Sequence, residues 1–255
     1  QAVAGIRVTD ALDSAAGRAL LASLSLSDKT KPLGLPPGDM ESLVLGVNAK
    51  KLPPRLTAVV RLKTALDESR IHAVLGSEQT VEQHGKTLRR GRLWPNGPEG
   101  VVWQADSHTL IAAQLPEDFD RVPTKPHAAV PLPDLMERLD PSALAWLVAS
   151  PDANDAAVTL VTPFVPPAER DAWMKLQAIA LSLRAEGSRL TLTAHILGRN
   201  ATAGEAIAKS VVESLTKVGV RVERSSSADW QNVLATADSN QLGEVLHRPA
   251  AGHGP

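Results

Sequence analysis

The chain has 255 residues, with 27 Lys and Arg against 28 Asp and Glu, no cysteine, and an apolar share of 43% of which little is aromatic. A net charge near zero excludes the field that holds a phosphate backbone, so no nucleic-acid partner is expected; the missing thiols exclude disulfide scaffolds, thiolate metal sites and thiol catalysis. The length suffices for a substantial core without cross-links, and the longest apolar run, Ala143 to Ala149, is far too short to span a bilayer, so no membrane insertion within this chain is expected.

The chain opens on Gln1 rather than methionine, from which we expect an excised fragment or processed product with any leader or anchor upstream. Leu12, Ala15, Ala16, Ala19, Leu20 and Leu24 recur at three- and four-residue spacing and predict one amphipathic helix from Thr9 to Leu24, capped by Thr9 or Asp10. Pro32, Gly34, Pro36, Pro37 and Gly38 then mark a loop. Two β-branched runs, 42–47 and 56–62, read as paired strands with Pro53 and Pro54 in their connection. Thr64 stands three residues before Asp67, and Leu66, Ile71, Val74 and Leu75 complete a short helix that ends at Gly76. Runs at 80–93, 101–104 and 109–113, broken at His84 and Gly85, at 95–98 and at 106–108, form a meander of strands.

Five prolines between Gln114 and Pro133 place the boundary between two α+β halves, residues 1–126 and 127–246, with 247–255 as a disordered tail. Past it the elements restart: a helix at 132–139, strands at 143–149 and 157–162, and a helix from Pro166 to Met174. The strands and second helix lie about 100 residues beyond similar elements, the trace that an internal duplication leaves. Ile179, Leu181 and Leu183, then Leu190, Leu192 and Ile196, alternate in a way that predicts a hairpin turning near Gly187. Thr202 and Glu205 have the spacing of a capping box; Ile207, Val211, Leu215 and Val218 follow at helical spacing, and Gly219 ends the helix. Gly219 to Val222 is expected to add a strand, and Ala228 to Val245 a helix interrupted near Asp238. The fold class is α+β: two similar halves, each an antiparallel sheet with helices packed on one face.

The succession Leu176-Gln-Ala-Ile-Ala-Leu-Ser-Leu, Arg189-Leu-Thr-Leu-Thr-Ala and Thr202-Ala-Gly-Glu-Ala-Ile-Ala, with its order of helix, strands, helix and hairpin, resembles a loosely defined group of bacterial α+β domains. These occur in secreted or membrane-anchored proteins and outside the membrane in receptor-type serine/threonine kinases. The resemblance implies an extracytoplasmic sensing or interaction module, periplasmic or in the cell envelope, without catalytic residues or a cofactor.

Motifs with chemical meaning are few. Asp106, Ser107 and His108 are the residue types of a nucleophile triad, but three neighbours in a strand connection do not converge on one proton path. Ser214 and Lys217 have the serine-x-x-lysine spacing without its companion motifs. Gly85-Lys-Thr87 lacks the opening glycine and following helix of a phosphate loop, and Asp152, Asn154 and Asp155 lack the glycine and distal glutamate of a calcium loop. No metal site is expected from the spacing of the histidines. One concentration merits a binding hypothesis: Lys86, Arg89, Arg90 and Arg92, followed by Trp94 and Trp103, which suit an anionic or planar ligand such as a peptide, a polysaccharide or a protein surface; the alternative is a charged edge strand with the rings packed beneath a loop. The expected function is a non-enzymatic binding or sensory module, with a hydrolase-like enzyme or a structural spacer as alternatives.

Overall fold

A computed structural model describes residues 2–23, 35–48, 55–66, 79–83, 85–92, 99–119, 132–151, 169–217 and 219–238. The strands are β1 (Ala2–Arg7), β2 (Met40–Asn48), β3 (Arg55–Leu62), β4 (Gln79–Gln83), β5 (Lys86–Arg92), β6 (Glu99–Asp106), β7 (Thr109–Ala113), β8 (Ala145–Ala149), β9 (Leu176–Glu186), β10 (Arg189–Gly198), β11 (Arg221–Ser227) and β12 (Trp230–Asp238). All join one 12-stranded sheet in the order β11-β12-β10-β9-β8-β1-β2-β3-β7-β6-β5-β4, and every ladder is antiparallel. The α+β class is as the sequence implies. The two expected sheets are instead one, because β1 pairs with β2 on one side and β8 on the other.

Period-two alternation divides the sheet into two faces. On the first face, α1 (Val8–Asp13) and α2 (Ala15–Ser23) pack against Ile6, Val60, Leu62 and Leu110. On the same face, α5 (Ala201–Lys217) lays Ile207 and Ala208 on Ile179, Ala194, Ile196 and Val233. Between them in sequence come α3 (Leu132–Met136), which covers Val148, Ala178 and Ala180 on the opposite face, and α4 (Arg170–Trp173), which docks on α5. The α4 contact is partly polar: the buried Ser210 hydroxyl donates to Glu169 and accepts from Trp173 Nε1.

Several local expectations are corrected. The single helix foreseen from Thr9 is two, because Ser14 is extended at φ −109° and ψ 146° and its hydroxyl accepts from the Gly17 amide at 2.9 Å, which starts α2 afresh. The stretch after Ala228, read as a helix, is the strand β12. Its alanines at 235 and 237 suit either structure, and pairing with β10 and β11 on its two sides decides for the strand. The restart about 100 residues on matches β8 to the run at 42–47, whereas in the sheet β8 holds the place opposite β1. The helix at 64–75 (past Leu66), the strand at 157–162 and the first part of the helix from Pro166 lie outside the described residues.

The cap of α5 also moves. Asn200 Oδ1 accepts from the Ala203 amide at 2.8 Å, the geometry of an asparagine N-cap, and leaves Thr202 inside the first turn. The chain enters the helix so tightly that a Cβ on Gly198 would lie 2.3 Å from the Gly204 nitrogen. At the other end Gly219, at φ 80°, lets the amides of residues 219 and 220 close on Thr216 and Leu215. In denaturant titration Asn200→Ala should lower stability by about 1 kcal/mol, with Thr202→Ala within about 0.5 kcal/mol of wild type; the reverse ranking would contradict this start.

At the centre of the sheet Gly5 stands opposite Trp146, and a Cβ on Gly5 would lie 2.4 Å from the indole ring. The ring therefore lies flat across the β1 backbone, a place only glycine leaves open. Gly5→Ala should destabilise by about 1–3 kcal/mol through overpacking, and Trp146→Ala in the same chain should relieve part of that strain. Additive losses in the double-mutant cycle would show that the two residues do not share the contact.

Candidate functional site

Among the described residues, the two helical covers on the first face meet only incompletely over the middle of the sheet, where Leu43, Leu147, Leu181 and Leu183 pack against the edges of the two cores and stay half-buried. Ala4 and Ile6 of β1 and Ala145 and Leu147 of β8 form the floor there, with Ala4 opposite Leu147 and Ile6 opposite Ala145. Leu43 and Leu45 of β2 flank β1, Leu181 and Leu183 of β9 flank β8, and Leu192 of β10 stands beyond Leu183. Leu20 of α2 also lines it. These residues bound a trough of about 430 Å³, inside the roughly 300–1,000 Å³ range of small-molecule sites. No charged side chain is among its described lining residues.

The trough follows from the strands' register and the helices' positions. Because the side-chain period of a strand is two, the leucines at 43, 45, 181 and 183 must share the face that Ala4 and Ala145 occupy once the ladders are set. Elsewhere on this face α1, α2 and α5 bury such residues; here Leu43, Leu147, Leu181 and Leu183 stay half-buried, and Leu45 is 42% exposed. The sequence marks the β9 and β10 leucines as core. What it does not carry is any local signal that Leu181, Leu183 and Leu192 stay only half-buried, since that depends on where distant elements pack.

The basic and aromatic cluster is divided by the same alternation. Arg90 and Arg92 face the side of the sheet opposite the trough with Lys86 and Trp103, whereas Arg89, opposite Val102, is on the trough's side. Lys86 Nζ lies 4.6 Å above the Trp103 ring and is 3.5 Å from the Phe119 carbonyl, while Phe119 meets the same ring edge-on. Arg89 and Arg90 have partners within the chain, and Trp94 lies outside the described residues. Nearby, Arg55 pairs with Asp118 at 2.8 Å and Glu117 at 3.5 Å, and the Asp118 carboxylate holds its guanidinium pKa above the usual value. The Trp103 ring is thus engaged inside the protein by both Lys86 and Phe119.

The other motifs also resolve into local structure. Asp106 accepts from the His108 amide at 2.7 Å, and that bond, with one from Thr109, holds its carboxyl below the usual range. Ser107 Oγ is 2.9 Å from His108 Nδ1, but Asp106 serves the backbone and not the imidazole, so no relay forms. Gly85 sits at φ 73° in the turn between β4 and β5, Ser214 and Lys217 are exposed on α5, and the stretch 152–155 lies outside the described residues. Among the described residues no cluster of three histidine or carboxylate ligands occurs, and no helix is long and apolar enough to cross a membrane.

No family model and no curated protein matches this chain. Solved structures of TP0453 share its fold. Crystal form IV superposes with a TM-score of 0.57 at 10% identity, covering 96% of this chain and 92% of that one. Crystal form III gives 0.56 at 12%, with coverages of 96% and 93%. At that identity the likeness concerns the fold alone: a large antiparallel sheet with few helices.

Proposed function

We propose that this chain is a non-enzymatic binding module, placed outside the cytoplasm, that takes an apolar ligand into the trough over β1 and β8. The observation that carries the reading is a concave, solvent-open and wholly uncharged described lining at the centre of the sheet, where a soluble protein ordinarily buries its leucines. Among its described residues the lining holds no acid, base or nucleophile, which favours retention of a ligand over chemistry on it. Strands β1 and β2 supply one side of the trough and β8, β9 and β10 the other, so an occupant touches both halves of the chain and is suited to a sensory role. The recurrence of strand, helix and hairpin in β1 to β3 and in β8 to β10 supports reading those halves as copies of one duplicated unit. The resemblance to extracytoplasmic domains supports the location.

The reading is tested by titrating the protein with anilinonaphthalene sulfonate, which fluoresces in apolar sites. One saturable class of site is expected. Leu45→Glu, at a position already 42% exposed, should weaken it at least roughly tenfold, about 1.4 kcal/mol, with the melting temperature little changed. Equal binding by both proteins would place the dye elsewhere and overturn the assignment.

A further inference from the structure

On the face opposite the trough, the short turn Pro116–Phe119 follows β7 and joins no strand ladder among the described residues. Its Phe119 packs on a small core of Leu88 from β5, Val101 from β6 and Ala113 from β7, each at most 1% exposed. Trp103 of β6 stands beside Phe119, with ring centroids 6.3 Å apart and planes nearly perpendicular. Lys86 of β5 holds its ammonium 4.6 Å from the Trp103 centroid and 3.5 Å from the Phe119 carbonyl. From β3, on the other side of β7, Arg55 pairs with Asp118 at 2.8 Å and with Glu117 at 3.5 Å.

The sheet therefore supplies an apolar floor, an indole and two cations, and the turn engages all of them. The receiving groups sit on paired strands whose ladders fix their positions. The turn that meets them is four residues long and is closed by the Asp118 amide on the Leu115 carbonyl at 3.1 Å. Its fit is incomplete: the Asp118 side chain is 8% exposed, yet its second oxygen, Oδ2, is bonded to no described protein group. A buried carboxylate oxygen left in this way opposes the docking of the segment that carries it. A segment so short and so held belongs to the low-stability end of a structure, which opens locally while the sheet stays folded.

From this we infer that Pro116–Phe119 is a ligand in cis, a plug seated in a recognition site for an acidic segment that ends in an aromatic residue. A partner protein's segment of that chemistry binds there when the plug lifts. The occupant is read from the plug itself, two carboxylates followed by a phenyl ring, and from the cations and floor that receive it. The site lies on the other face from the trough and does not depend on the function proposed for it. A tethered plug competes at an effective concentration on the order of millimolar, so the site is open to a free peptide only when the plug is weakened.

The probe is the peptide acetyl-Pro-Glu-Asp-Phe-amide, titrated into the full chain and into the double variant Asp118→Ala, Phe119→Ala, with the amide NMR shifts of β5 and β6 as the readout. The variant should bind at least tenfold more tightly than wild type. Replacing the peptide's Phe by Ala, or its two acids by their amides, should each weaken binding at least tenfold, and adding Arg55→Gln to the variant should abolish the preference for the acidic peptide. If the double variant fails to fold, Asp118→Asn alone, which keeps the turn's shape and removes its charge, takes its place and should also bind more tightly than wild type. Equal affinity of wild type and the folded variant, binding to neither, or indifference to the peptide's ring or charges would show that the turn is packing only and overturn the inference.

Discussion

The structure depends on one ladder. Among the described residues, β1 and β8 make the only strand pairing between the group β1 to β7 and the group β8 to β12, and they come from positions more than a hundred residues apart. Closing so long a loop costs entropy that grows slowly with its length, and what offsets it is concentrated at this junction. The register from Ala2 opposite Ala149 to Ile6 opposite Ala145 is continued by the Arg7 amide on the Leu144 carbonyl at 2.8 Å and the Leu144 amide on the Leu183 carbonyl at 2.7 Å. Trp146 covers Gly5 on one face, while Ile6 and Leu144 join the core beneath α1 and α2. A one-residue slip would send Trp146 to the trough and Ala145 to the opposite face, so the packing of that ring on Gly5 favours the observed register of this ladder.

The trough is a consequence of the same junction. Each group brings its own helical cover, α1 with α2 on one side and α5 on the other, and each cover is centred on its own strands. Where the groups meet, the described parts of the two covers bury Ile6 and Leu144 but leave Leu43, Leu147, Leu181 and Leu183 half-buried and Leu45 exposed. Small residues at Ala4 and Ala145 deepen the trough. An exposed apolar face lowers solubility and invites association, which is the reason for placing the proposed ligand here. The basic surface around Lys86 and Trp103 is different in kind: its ring and its ammonium are already engaged with each other and with Phe119.

Much of the sheet was legible in the chain, for reasons that particular residues make clear. The hairpin of β9 and β10 was readable because Leu181, Leu183, Leu190 and Leu192 alternate with small or polar neighbours around Gly187, and α5 because its apolar stripe ends at Gly219. Its first residue was misplaced because Thr202 and Glu205 offered one capping pattern and Asn200 offered another, and only the close approach of Gly198 to Gly204 selects between them. The strand β1 was missed because Ala2 to Arg7 is short and small; it becomes a strand by having partners on both sides. The candidate site was illegible for a deeper reason. Charge clusters announce themselves in sequence, whereas a gap between two helices is made of residues that look like core.

The central claim is that this trough holds an apolar ligand, and the most direct measurement is methyl NMR on leucine-labelled protein titrated with anilinonaphthalene sulfonate. The account predicts shifts at Leu43, Leu45, Leu181 and Leu183, with Leu115 and Leu234, which are exposed at 36% and 39% away from the trough, unchanged. Shifts at those two instead, with the trough leucines silent, would contradict it.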